Sequence, residues 1–165
     1  MKSLLRITLL SLIAVVTFAA IVRCQDKPKD SVIITVGFAA DEVKDLLNTD
    51  YNPGLTVALN AKIVGNKTRL GGKFRFDKIE DIKTYTFGPE LSHKFGFVEP
   101  YGHFLIGYQT LDGIEGKEIV RMLGAGVRLN FGHIVLNPFQ FDQTRSGGFL
   151  SPGRNQFSAS IGVCF

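Results

Sequence analysis

The sequence predicts an all-β protein: an eight-stranded antiparallel up-and-down β-barrel crossing a membrane, preceded by a signal peptide. Three observations carry this. Hydrophobicity alternates with period two in eight separate segments, the connectors alternate between long and short, and charges and glycines collect on one face of the strands while the other face stays apolar. The 165 residues suit one domain. With 45% hydrophobic and 21% charged residues, the chain lies far from the composition of disorder.

Residues 1–24 read as the signal peptide and residues 25–165 as the barrel domain. Lys2 and Arg6 supply a positive start, and Leu9 to Ala20 is an apolar run of signal-peptide length. Small residues fit a cut after Ala19 or after Cys24. Between Arg6 and Arg23 the run is too short for a membrane helix, which needs about 20 apolar residues. Cutting at Cys24 removes Lys2, Arg6 and Arg23 from the 19 basic residues, leaving 16 against 15 acidic ones. No basic stripe then remains for nucleic acid, and that class is excluded. Two cysteines at opposite ends give neither a disulfide framework nor a zinc pattern.

The strands follow in order. Val32, Ile34, Val36 and Phe38 alternate with Ser31, Ile33, Thr35 and Gly37, where Ile33 breaks the pattern. Leu55, Val57, Leu59, Ala61 and Ile63 oppose Thr56, Ala58, Asn60 and Lys62. Leu70, Gly72, Phe74 and Phe76 oppose Arg69, Gly71, Lys73 and Arg75. Lys83 to Ser92 sets Tyr85, Phe87 and Leu91 against Thr84, Thr86, Gly88 and Glu90; Val98 to Thr110 sets Phe104, Ile106 and Tyr108 against Glu99, His103, Gly107 and Gln109. Leu123 to Phe131 alternates with Gly124, Gly126, Arg128 and Asn130. His133 to Thr144 is irregular around Leu136, Asn137 and Pro138, and a proline there predicts a bulge or local break. Phe157, Ala159, Ile161, Val163 and Phe165 close the set against Gln156, Ser158, Ser160, Gly162 and Cys164.

Connector lengths add a direction. Ala39 to Pro53, Leu111 to Glu118 and Arg145 to Arg154 read as long and Asp77 to Ile82 as medium, while Gly65–Asn66, Phe95–Gly96 and Gly132 mark short turns. Loops at one rim and turns at the other are the habit of outer-membrane barrels.

The choice of face fixes the class. A soluble barrel would put Lys, Glu and Asp on its outer face. Here the apolar faces carry only Lys83 and His93, near strand ends, whereas the polar faces gather Lys62, Arg69, Lys73, Arg75, Glu90, Glu99, Arg128 and Asp142 with seven glycines. That set suits a narrow interior in which Lys73, Arg75, Glu90, Glu99, His103, Arg128, Gln140 and Asp142 form a polar network, because an unpaired enclosed charge would cost several kcal/mol. With no tryptophan, the interfacial aromatics fall to Phe38, Tyr85, Phe97, Tyr108, Phe131, Phe139 and Phe165.

At these residues the chain resembles the small eight-stranded outer-membrane β-barrel proteins of the OmpA/OmpX-like class, over nearly all of the mature sequence. Thr86–Pro89 is similar to the family's "FGP" strand and Pro100–Gly107, "PYGHFLIG", to the strand after it; Leu123–Val127, "LGAGV", precedes Pro138–Arg145, "PFQFDQTR", which resembles the family's "P.Q.DY..TR" segment. Gln143 stands where that pattern often has tyrosine. The resemblance implies a location in the cell outer membrane, in contact with lipid and lipopolysaccharide. It also implies biogenesis through periplasmic chaperones and the barrel-assembly machinery, with Phe157, Ile161, Val163 and Phe165 as the assembly signal.

Catalysis finds little support in the residues. Ser92 and His93 are adjacent on a strand and so face opposite ways. His103 and Glu99 share a face but stand about 13 Å apart at 3.3 Å per residue. No deacylase-like His-x-Ser-Asn run occurs, and "GGFLSPG" at Gly147 to Gly153 fits no phosphate loop. The acidic Asp41, Glu42, Asp45 and Asp50 do not have EF-hand spacing. Arg145 and Arg154, bracketing the fourth loop, have the chemistry for lipopolysaccharide phosphates. No cofactor or metal is implied. The expectation is a structural or surface-binding protein, not an enzyme or a general porin; a lipid-modifying barrel enzyme and a secreted lipocalin-like barrel are the alternatives.

Overall fold

The computed structural model describes residues 32–44, 49–65, 67–112, 116–146 and 153–165; the leader, Asp45 and residues 147–152 of the fourth loop lie outside them. Eight strands are present: β1 (Val32–Lys44), β2 (Thr49–Val64), β3 (Thr68–Ile79), β4 (Ile82–His93), β5 (Val98–Leu111), β6 (Glu118–Phe131), β7 (Ile134–Ser146) and β8 (Arg154–Cys164). Each pairs antiparallel with the next and β8 returns to β1, so the sheet closes without an edge strand.

Stepping across the ladder from Val32 through Ala61, Gly72, Pro89, Phe104, Leu123, Gln143 and Asn155 leads back to β1 at Glu42, ten residues beyond the start. This stagger tilts the strands against the barrel axis. With eight strands it leaves an interior that side chains can fill.

The alternation expected from the sequence sets which side chains point where. Phe38, Ile63, Phe87 and Leu123 face outward, Phe38 with 75% of its surface exposed. The interleaved Thr35, Asn60, Lys73, Thr86, Glu99, Arg128, Asp142 and Gln156 are buried inside. Ile33, which breaks the alternation, also points inward. It packs with Val135 and Cys164, an apolar floor at the end of the barrel that holds the short turns. Cys164 is almost wholly buried.

Proline shapes β7 as expected. The register slips between Asn137 and Gln140, so Pro138 and Phe139 both lie outside while Asn137 and Gln140 both stay inside. The bulge restores the phase that the local sequence upsets.

The connectors differ from expectation at the other end. Ala39 to Pro53 is not a long loop, because β1 and β2 stay paired up to Lys44 opposite Thr49. Asp77 to Ile82 is a tight hairpin in which Ile79 pairs with Ile82 around Glu80 and Asp81, and Glu80 takes the left-handed backbone at φ 51°. Leu111 and Glu118 belong to β5 and β6. The long and short alternation is therefore weaker than the sequence suggests: strand pairing continues where polar composition reads as loop, since a β-ladder whose two faces both meet solvent accepts polar residues on both.

Candidate functional site

The barrel interior holds a column of paired charges, supplied by residues of β1 and of β3 to β8 and built in three levels. Lowest is Glu99 of β5. Its carboxylate accepts from Ser92 Oγ at 2.6 Å, Asn130 Nδ2 at 3.0 Å, and the guanidinium groups of Arg69 and Arg128, both at 3.3 Å. Four donors from β3, β4 and β6 thus saturate one buried acid, as a desolvated carboxylate requires. Arg128 extends from Glu99 to Glu90, which it also binds, and its guanidinium lies over the Tyr101 ring at 4.2 Å.

At the middle level Lys73 Nζ reaches Glu90 at 3.4 Å, Gln140 Oε1 at 3.1 Å and His103 Nδ1 at 3.4 Å, and it too sits over Tyr101, at 4.8 Å. Tyr101 donates to Gln140 Oε1 at 2.6 Å. Gln140 Nε2 donates to Asp142 at 2.6 Å, and His103 Nε2 lies 2.8 Å from the other oxygen of that carboxylate. Arg75 pairs with Asp142 and donates its Nε–H to Asp77 at 2.8 Å.

The upper level is the mouth. Arg154 of β8 donates to Asp41 of β1 at 3.0 Å and to Gln109 of β5 at 2.7 Å, and Gln109 passes the chain to Glu118 at 2.7 Å. Outside the column at this end, Lys83 binds Asp112 at 2.6 Å. The hydrogen bond from Lys83 holds the exposed Asp112 carboxyl below the usual aspartate range.

Charge balances inside. The fully enclosed cations Arg69, Lys73, Arg75 and Arg128 meet the carboxylates of Asp77, Glu90, Glu99 and Asp142, and Asp41 is answered by Arg154. Leu105, Val120 and Met122 fill the space beside the upper levels. A cavity of about 20 Å³ beside Lys62, Arg69 and Glu99 has room for about one water molecule.

All eight residues expected in the interior network lie in this column. The sequence reading left out Tyr101, although it shares the phase of Glu99 and His103, and Asp77, which lies one step past the end assigned to its strand. Arg154, which with Arg145 has the chemistry for lipid phosphates, points into the mouth. Asp41 lies inside β1 and Glu42 is bound by Asn155 at 2.6 Å, so neither belongs to a free acidic loop. Phe157 and Val163 are half-buried, while Ile161 and Phe165 are exposed.

The histidines are held structurally. His103 is enclosed between Lys73 and Asp142. His93 faces outward, with Nδ1 at 2.7 Å from Thr68 Oγ1 and its ring 4.4 Å from that of Phe95. Among the described residues no carboxylate orients His93, and no cluster of metal-ligating groups is present. Aromatic pairs stand toward both ends: Tyr85 on Tyr108 at 5.1 Å, and Phe97 on Phe131 at 5.9 Å.

No sequence-family description matches the chain, and neither does any curated protein. Solved structures do match. Ail, the attachment invasion locus protein of Yersinia pestis, superposes with a TM-score of 0.59 at 18% identity, over 82% of this chain and 99% of its own. Neisserial surface protein A gives 0.55 at 18% identity, over 81% and 97%. The outer membrane enzyme PagL gives 0.50 at 14% identity, over 81% and 99%. At such identities the likeness lies in the backbone, and the closed sheet, its up-and-down order and its inside-out polarity make this chain, in fold, a small eight-stranded outer-membrane β-barrel.

Proposed function

We propose that the protein is an integral barrel of a Gram-negative outer membrane whose work is structural or done by binding at its surface. One observation carries the reading: around the middle of the strands the charged side chains are enclosed and paired, while the outward faces there are apolar and outward charges such as Lys83, His93, Arg121 and Arg145 stand near strand ends. Water would reward the opposite arrangement. Lipid rewards this one, because closure satisfies every backbone group within the sheet.

The same interior argues against two other roles. A column of interlocked side chains with space for about one water does not pass solutes as a porin does. An enzyme working on lipid needs its acid–base group where lipid can reach it, whereas His103 is walled in and His93 has Thr68 beside it but no orienting acid. PagL shares the fold, and a shared fold does not transfer an activity. The outer surface would lie in lipid and lipopolysaccharide. Biogenesis would use periplasmic chaperones and the barrel-assembly machinery, to which Phe157, Ile161, Val163 and Phe165 of the closing strand would be presented.

The test is the polarity itself. Protein folded in detergent should migrate differently on cold SDS gels before and after boiling. Val127→Arg, on the outward face of β6, should destabilise the fold by about 2–4 kcal/mol. A chain that stays monomeric in water without detergent and tolerates the arginine would overturn the proposal.

A further inference from the structure

Six arginines lie among the described residues, and they divide sharply. Arg69, Arg75, Arg128 and Arg154 each bind a carboxylate. Arg121 and Arg145 bind none, and they are cross-strand partners, directly opposite each other on β6 and β7. Both are exposed on the outer face: their neighbours Val120, Met122 and Thr144 are buried inside, and Ile119 and Leu123 flank Arg121 on the outside. The pair lies toward the loop end of the barrel, near the start of β6 and the end of β7.

Like charges directly opposite on one sheet face repel, with Cβ atoms about 5 Å apart. Elsewhere this chain relieves that tension from within. Lys78 and Lys83 are also cross-strand partners, and there Asp112 neutralises Lys83 at 2.6 Å. Among the described residues the arginine pair has no such counter-charge. Two guanidinium forks side by side form a bidentate receptor for an oxyanion with several equivalent oxygens, and phosphate matches that geometry. The receptor opens sideways from the wall of the barrel, where a lipid headgroup would lie, and not into the interior.

We infer that Arg121 and Arg145 together bind a phosphate group of a membrane-lipid headgroup at the loop end of the barrel. The site deepens the outer-membrane reading and rests on it. It also replaces the expected contribution of Arg154, which is bound to Asp41 and Gln109.

Binding is measured on protein purified in non-ionic detergent, titrated with mixed micelles of lipid A carrying its phosphates, with the same lipid stripped of phosphate, and with inorganic phosphate. The wild type should prefer the phosphorylated lipid by at least about tenfold over the stripped one, and R121Q/R145Q should lose that preference while keeping its heat-modifiable band. Without anionic lipid, R121Q should unfold at a higher denaturant concentration than the wild type, because the repulsion is relieved. Equal affinity of wild type and double variant for the phosphorylated lipid, both being heat-modifiable, overturns the site and leaves the membrane reading standing. Inorganic phosphate binding as tightly as the lipid overturns the lipid as its source. A wild type without a heat-modifiable band overturns both the site and the membrane reading.

Discussion

Gly124 lies against the contact between His103 and Asp142. A Cβ at this position would stand 1.8 Å from Asp142 Oδ1 and 2.6 Å from His103 Nε2, crowding both ends of their contact. Gly126, two residues on, leaves the corresponding room for the Tyr101 hydroxyl, which a Cβ would approach to 2.6 Å. These glycines serve as sockets for side chains of neighbouring strands, a role distinct from turn formation. Gly124→Ala should therefore push His103 and Asp142 apart and destabilise the barrel by about 1–3 kcal/mol, read as a lower midpoint of urea unfolding in detergent. Alternation of "LGAGV" was enough to put both glycines on the polar face. Which partner each accommodates was not legible, because that depends on the pairing of β5, β6 and β7. For the same reason the network residues were identifiable one by one while their partners were not: Arg75 and Asp142 lie 67 positions apart in the chain.

Among the elements, the β3–β4 hairpin departs most from its sequence. Asp77 to Ile82 has the polarity of a loop, yet the ladder runs on until only Glu80 and Asp81 are left to turn, and Glu80 adopts a conformation in which glycine is at home. Its carboxylate accepts from Asn52 at 3.1 Å on the neighbouring strand, which offsets part of the strain. Glu80→Gly should thus stabilise the hairpin, by no more than about 1 kcal/mol, seen as a small rise in the same urea midpoint; a fall would mean that the bond to Asn52 outweighs the backbone. Strand centres were legible throughout, because an apolar outer surface on one side and a packed polar column on the other enforce period two. Strand ends at the loop rim were not. There both faces meet water, and hydrophobicity no longer records which residues are paired. The β7 bulge was legible from Pro138 alone, since proline cannot donate to the ladder.

For the molecule as a whole, the eight strands, their order and their polarity could all be read from the sequence, whereas the filling of the interior could only be guessed from the number of strands. The structure adds Leu105, Val120 and Met122, all fully buried, to the charged column that fills the interior. Liposomes containing the folded protein should therefore be no more permeable to a small sugar than empty ones in a swelling assay; rapid swelling would mean that the column opens.

The contacts of the column also bear on how the barrel comes into being. Arg154 and Asp41 stand 113 positions apart and meet across the β8–β1 seam, and Lys73 finds Gln140 over 67 positions. None of these pairs exists in a sheet that is still open. Before closure the charges of these long-range pairs have no partner and are best left in water, since desolvating them unneutralised is costly, whereas Arg75–Asp77 within β3 and Arg128–Glu99 across β5 and β6 need no closed sheet. For these long-range pairs enclosure and charge pairing thus become a single event, which couples closure of the seam to the register of the strands that supply them.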